Sequence, residues 1–216
     1  MNQQQFTPTY IAQFSDREFR TGLKGISNDD VNRRLSAIID LFRCLNGRDA
    51  FLKQAMKELS TRLLNKTSIS SEHEELFIQK LKVECGANQV NSMTQMFKDM
   101  QLSKDMQGEF SNHLGVRNPL TLDFSVEVLT SGTWPPMDKP ACEIPPQMKS
   151  CVNRFEQWFK SKNQNRQLTW MNAHGQVELQ TTFTQPKKYT LVVNTFQAAI
   201  LCMFNGGDNF TCREIK

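Results

Sequence analysis

A chain of 216 residues suffices for one large or two small domains, and 38% apolar with 22% charged residues is the make-up of an ordinary folded protein. A net charge of +4 is too mild to argue for nucleic acid by itself, and no apolar run approaches the length of a membrane span. Met1-Asn2-Gln3-Gln4-Gln5 has no basic start and no apolar stretch, so it does not read as a secretory signal.

Taken in order, the first half reads as helices. Pro8 to about Leu23 places Ile11, Phe14 or Ser15, and Phe19 on one side. Asn28 before Asp29-Asp30 predicts an N-cap with acid in the first turn. Val31, Leu35, Ile38, Ile39, Phe42 and Leu45 then make an amphipathic helix closed by Asn46-Gly47. A third helix from about Asp49 presents Phe51, Leu52, Ala55, Met56, Leu59 and Leu63. Ser71-Glu72-His73-Glu74 fits a capping box opening a helix with Leu76, Phe77 and Leu81, stopped at Gly86. Val90, Met93, Met96, Phe97 and Met100 continue the pattern, a methionine stripe at the spacing of a core face. Ser103 predicts the cap of a last helix with Met106, Phe110 and Leu114, ended by Gly115. Antiparallel helices joined by short loops make a bundle.

The pattern then changes. Leu122, Phe124, Val126 and Val128 alternate with Asp123, Ser125 and Glu127, which predicts a strand broken at Ser131 to Pro136. A Pro-rich loop leads to a helix from Pro146 with Cys151 or Val152, Phe155, Trp158 and Phe159. Leu168-Thr169-Trp170, Val177 to Phe183 and Tyr189 to Val193 read as the strands of an antiparallel meander, with turns at His174-Gly175 and Gln185-Pro186. Thr195 predicts the cap of a short helix with Phe196, Ala199, Ile200, Met203 and Phe204 on one face, stopped at Asn205-Gly206-Gly207. A meander this small has open edges and cannot bury both faces alone, so it is expected to take a strand from another protein. Thr211 with Glu214 is a further capping box, and the helix it opens holds little before Lys216, as in a chain cut at the start of its next domain.

A search for chemistry returns little. Cysteines stand at 44, 85, 142, 151, 202 and 212 with no CxxC spacing, and the three histidines are far apart, so neither a metal nor a cofactor is expected. Such cysteines read as reduced thiols of a cytoplasmic or nuclear protein. The sequons Asn65-Lys66-Thr67 and Asn209-Phe210-Thr211 carry no weight without a secretory signal. Phosphate loops, HExxH and GxSxG are all absent, and no cysteine or serine pairs by sequence with His113. Trp134, Trp158 and Trp170 lack the interleaved basic stripe of a base-stacking surface. The residues favour a non-catalytic interaction protein.

Several stretches go further. Leu41-Phe42-Arg43-Cys44-Leu45-Asn46-Gly47-Arg48-Asp49-Ala50-Phe51, Arg62-Leu63-Leu64, Leu81 to Gly86, and Met96-Phe97-Lys98-Asp99-Met100-Gln101-Leu102-Ser103-Lys104-Asp105 occur in that order. They are followed by Phe124-Ser125-Val126-Glu127-Val128-Leu129-Thr130-Ser131-Gly132-Thr133-Trp134-Pro135, Arg166 to Trp170, and Thr195 to Leu201. Together these resemble the cullin family over almost the whole chain, leaning slightly toward the SCF-type cullin. Two departures stand out. Asn163-Gln164-Asn165 replaces the usual His-Ser-Gly, and Ser60-Thr61 replaces Ala-Lys.

The resemblance implies an α+β fold. A disordered N-terminus (1–7) precedes a cullin-like four-helix-bundle region (8–117). An α/β subdomain with an antiparallel sheet (118–194) and a truncated start of a winged-helix unit (195–216) follow. It further implies a non-catalytic scaffold of a cullin-RING ubiquitin ligase whose sheet accepts a strand of a RING-box protein, with cullin regulators as further partners. The anchors expected to line that strand are Phe124, Val126, Leu168, Trp170, Val177, Leu179 and Leu191. The competing expectation is a nucleic-acid-binding module built on the incipient winged helix, recognisable by salt-sensitive binding.

Overall fold

The computed structural model describes residues 6–115, 119–184 and 187–215. Helices α1 (Thr7–Arg17), α2 (Asn28–Arg43), α3 (Arg48–Leu64), α4 (Ser71–Cys85) and α5 (Ala87–Leu114) come first. Then come α6 (Pro146–Lys162), the hairpin strands β1 (Gln176–Thr184) and β2 (Lys187–Asn194), and the helices α7 (Thr195–Met203) and α8 (Cys212–Ile215). The class is α+β, as expected. The chain divides into two compact units, Met1–Gly108 with Val126–Pro136, and Glu109–Ser125 with Met137–Lys216.

In the first unit the helical periodicity holds. α2 buries Val31, Leu35, Ile38, Ile39 and Phe42, and α3 buries Phe51, Leu52, Ala55, Leu59 and Leu63. α1 turns Ala12 and Ser15 inward and leaves Phe14 49% exposed, so Ser15 and not Phe14 holds the core position. Its last turn widens into a π-helical turn, Glu18–Gly22, which carries the buried Phe19. α4 ends at Gly86, whose φ of +85° is a conformation glycine adopts without strain.

Three helix starts differ from expectation. Ser27 caps α2 by accepting from the Asp30 N–H, one residue before Asn28. Ser70 caps α4, and Glu74 does not reach back to the cap, because its carboxylate is buried against Arg62. Ser103 caps nothing: α5 runs unbroken from Ala87 to Leu114, with Ser103 buried in its middle.

Arg62 is the polar centre of this unit. Its Nε and Nη2 donate to the two oxygens of Glu74 at 2.6 and 2.8 Å, and its Nη1 donates to Asp16 Oδ1 at 2.6 Å. Ser68 Oγ donates to Glu74 and Arg20 Nε to Asp16, while the guanidinium lies 4.8 Å over the Phe19 ring. Burial opposes the Arg62 charge, but the Glu74 and Asp16 carboxylates outweigh it and raise the pKa. One side chain thus ties α1, α3 and α4 together.

In the second unit α6 buries Cys151, Phe155, Trp158 and Phe159, as its spacing predicts. Phe155 is the hub of an aromatic cluster. Ring centroids lie 5.1 Å away for Phe110, 5.5 Å for Trp158, 6.2 Å for Phe159 and Trp170, and 6.4 Å for Phe124. The sheet is a two-stranded antiparallel hairpin, pairing Val177 with Val193, Leu179 with Leu191 and Thr181 with Tyr189. The expected turn at Gln185-Pro186 lies outside the described residues. At His174-Gly175 the chain makes a single 3₁₀ turn, Asn172–His174. Gly175 sits so close to Thr195 that a Cβ there would lie 2.2 Å from Thr195 Oγ1.

Neither Leu122–Val128 nor Leu168–Trp170 is a strand. The first is extended but bonds to helix side chains. The second is fixed by Trp170, whose indole N–H donates to Glu156 Oε1 while the ring packs on Phe155 and Phe124.

Candidate functional site

The seven expected anchors fall into three settings. Val177, Leu179 and Leu191 share one face of the hairpin, all half-buried, with Thr181 buried and Val193 half-buried beside them. Phe124 and Trp170 belong to the aromatic cluster around Phe155, and Leu168 lies half-buried two residues before Trp170. Val126 belongs to the other compact unit, so the structure does not gather all seven on one sheet.

The hairpin's hydrogen-bonding pattern follows from its open end, away from the turn. The Thr195 N–H donates to Gly175 O at 3.2 Å, which makes that pair face inward across the ladder. By the period of two, Val177/Val193, Leu179/Leu191 and Thr181/Tyr189 also bond to each other. The N–H and C=O groups of Gln176, Glu178 and Gln180 therefore point to the outer edge of β1, and those of Thr190 and Val192 to the outer edge of β2. At Asn194 the outward N–H is taken by Gln197 Oε1 at 3.0 Å, within a capping box that starts α7. The cap is Asn194 and not Thr195, which is the buried first residue of the helix. Among the described residues no other strand pairs with either edge.

α7 turns Thr195 and Ala198 inward. On the face expected to be apolar, Phe196, Ala199 and Met203 are half-buried while Ile200 stays 37% and Phe204 45% exposed, with Phe204 meeting Phe210 edge-on at 5.1 Å. The hairpin and α7 thus present an apolar, half-exposed surface beside open backbone edges. Such a surface recognises an extended polypeptide: backbone groups dock it and alternate side chains set its register.

A second feature was missed by reading the sequence alone. Gln107, Ser103 and Asp99 stand four residues apart along α5. Gln107 Oε1 accepts from the Val126 N–H at 3.2 Å, Ser103 Oγ accepts from the Val128 N–H at 2.7 Å, and Asp99 Oδ2 accepts from the Thr130 N–H at 2.8 Å. Ser103 Oγ also donates to Val128 O at 3.0 Å. Four residues of helix rise about 6 Å, and two residues of extended chain about 6.6 Å, so the two repeats stay in step. Asp99 further accepts from Thr130 Oγ1 at 2.8 Å, Trp134 Nε1 at 2.7 Å and Gln95 Nε2 at 3.1 Å. Burial pushes its pKa up, but these donors prevail and hold the carboxyl below its ordinary value of 3.8. The sequence does carry a signal for this ladder. Asp99 and Ser103 are polar residues at core positions between Met96, Met100 and Phe110.

No metal-binding cluster of acidic, histidine or cysteine side chains occurs among the described residues, nor is any described helix long and apolar enough to cross a membrane.

Comparison with known proteins now bears on these two features. The family model for the cullin alpha solenoid domain matches residues 1–107, and that for the cullin alpha+beta domain matches residues 128–216. Cullin-3 of Dictyostelium discoideum is 35% identical over 210 residues, which is 97% of this chain and 27% of that protein. Cullin-3A of Arabidopsis thaliana is 34% identical over 97% of this chain and 29% of its own length. Cullin-4A of Mus musculus is 36% identical over 95% of this chain and 27% of its own. The chain therefore spans under a third of the length of these curated relatives, and they do not bear out a preference for the SCF-type class. The two stretches joined by the Asp99–Ser103–Gln107 ladder are among those that carried the resemblance in the sequence. With both domain models matched in order along it, the chain belongs to the cullin family.

Proposed function

We propose that this chain is part of the non-catalytic scaffold of a cullin-RING ubiquitin ligase and that it holds a RING-box protein by strand addition. The observation that carries the reading is the two-stranded hairpin, with open backbone groups along both edges and an apolar face only half covered. In a member of the cullin family, an extended segment of a RING-box protein is the natural occupant. Leu179, Val177 and Leu191 would meet its side chains, while Trp170 and Phe124 hold the aromatic cluster of the same unit. The proposal includes a cytoplasmic and nuclear location, where the six thiols, all free, stay reduced.

The test is capture of a RING-box protein by the purified chain. Leu179→Asp places a charge on the apolar face and is expected to abolish capture, with far-UV circular dichroism unchanged. Trp170→Asp is expected to do the same by loosening the aromatic cluster. Capture that survives both changes in folded protein would sink the assignment of this surface. A mobility shift of DNA or RNA at low salt, with no capture, would favour the nucleic-acid reading instead.

A further inference from the structure

The two edges of the hairpin are not alike. Along β1 the outward backbone belongs to Gln176, Glu178 and Gln180, and the pairing loses register between Thr181 and Thr184. A charge and an irregular register are common means of keeping an edge from pairing with another copy. The outward stretch of β2 carries neither. From Tyr189 to Val193 every residue but Leu191 is aromatic or β-branched, and the stretch holds no charge, proline or glycine. Lys187 and Lys188 stand only at its start. Thr190 and Val192 are exposed, and their outward N–H and C=O groups meet no partner among the described residues.

We infer that the β2 edge pairs with the β2 edge of a second copy of this chain, antiparallel about a two-fold axis at Leu191, so that two hairpins join into one sheet. The register follows from the sequence. With Leu191 opposite itself, Thr190 and Val192 of one copy exchange both backbone bonds with Val192 and Thr190 of the other. Leu191 meets its own copy at a pair not bonded through the backbone, where side chains stand closest. Tyr189 lies opposite Val193, an aromatic against a β-branched side chain. Lys188 lies opposite Asn194, and pairing ends there because Gln197 already holds the Asn194 N–H. Centring on Thr190 or on Tyr189 instead sets Lys187 against Val193 or Leu191 on the apolar face. Centring on Val192 sets Thr190 against the occupied N–H of Asn194. The contact is the same patch on both copies and closes on itself. The edges left outside are those of β1, with Glu178 and the broken register, so growth stops at two copies. A contact of this size belongs to the weak, reversible associations. It needs no RING-box protein, so the inference stands apart from the function proposed above.

Sedimentation velocity of the purified chain over a series of concentrations reads the association. A monomer–dimer equilibrium in the micromolar range is expected, and a chain that stays monomeric at its highest soluble concentration overturns the inference. Thr190→Pro removes an outward N–H from each copy, and Thr190→Ala keeps it. The proline variant should dimerise about tenfold more weakly than the alanine variant, through the backbone bonds lost on both sides. Equal dimerisation by the two overturns the inference. Val192→Lys, at an exposed position, sets two lysines diagonally across the axis and should abolish the dimer. A dimer that survives it is built elsewhere and overturns the inference, and this variant decides should the proline variant fail to fold. The register has its own readout. Under a mild oxidant Leu191→Cys should yield a linked dimer, because paired Cα atoms about 4.5 Å apart lie within disulfide reach. Peptide mapping separates this link from any made by the native cysteines. Val193→Cys, opposite Tyr189, should give none, and a link at Val193 without one at Leu191 overturns the pairing.

Discussion

The helical unit and the hairpin unit solve the same problem in opposite ways. In the helical unit the buried charged groups are met from within. Arg62 meets Glu74 and Asp16, and Asp99 meets Thr130, Trp134 and Gln95. In the hairpin unit the aromatic cluster around Phe155 is closed, but the sheet beside it is two strands wide and its apolar face half covered. A two-stranded hairpin is marginal by itself in water. The contrast teaches where a partner has something to add. A surface whose polar groups are already satisfied offers a guest little, whereas a backbone edge that no described strand takes still has hydrogen bonds to offer.

The comparison breaks most visibly at Arg62. Replacing it by methionine keeps the bulk but leaves the buried Glu74 carboxylate with the Ser68 hydroxyl in place of a cation, and the half-buried Asp16 with Arg20. Removing one partner of a buried ion network costs about 3–5 kcal/mol. The denaturant midpoint of the helical unit should fall accordingly, read by far-UV circular dichroism. A loss under about 1 kcal/mol would mean the network behaves as an exposed one, and the contrast between the units would fail.

Next in size is the effect of the guest. RING-box protein at about one hundred times its dissociation constant should stabilise the chain by about 2.7 kcal/mol. The gain should appear as a higher melting temperature of the hairpin unit, followed by near-ultraviolet signals of its tryptophans. Equal melting temperatures with and without the partner would show that the open edges are not what a guest fills.

Asp99→Asn is a finer probe. The hydrogen bonds it weakens are made to a charged group and are worth about 1.5–3 kcal/mol at neutral pH. Because the folded chain holds the Asp99 carboxyl below its ordinary 3.8, its contribution is whole above that value and is lost as pH falls through the lowered one. The stability gap between wild type and the asparagine variant should therefore close in acid. A gap that stayed constant down to strongly acid pH would show that the carboxylate charge is not what holds Thr130 and Trp134.

How far the sequence could be read follows the same division. Helical periodicity located α2, α3 and α6 and most of their buried residues, because a buried helical face repeats whatever it packs against. The β1 and β2 patterns were legible for the same reason. Partners distant in sequence were not. Arg62 and Asp16 lie 46 residues apart, and the short-range pattern around Glu74 imitates a capping box. Ser103 imitates an N-cap because the property that suits it to one, a hydroxyl that accepts from backbone N–H, also lets it receive Val128. The alternation from Leu122 to Val128 reads as a strand, and the structure forms none there. It could not say that a row of helix side chains would take the place of a neighbouring strand.

The smallest expected effect separates the two faces of the hairpin. Val192 is 58% exposed and lies opposite Glu178 on the outer face, while Leu191 and Leu179 pair on the inner one. Val192→Thr keeps the β-branched shape and the strand preference and changes only a methyl for a hydroxyl. At a solvated position that exchange should move stability by no more than about 0.5 kcal/mol, and it should leave capture of a RING-box protein unchanged. Leu179→Thr, the same kind of change on the inner face, should weaken capture measurably. If the two variants lose capture equally, a guest does not distinguish the faces, and backbone pairing alone, without the apolar surface, would have to account for recognition.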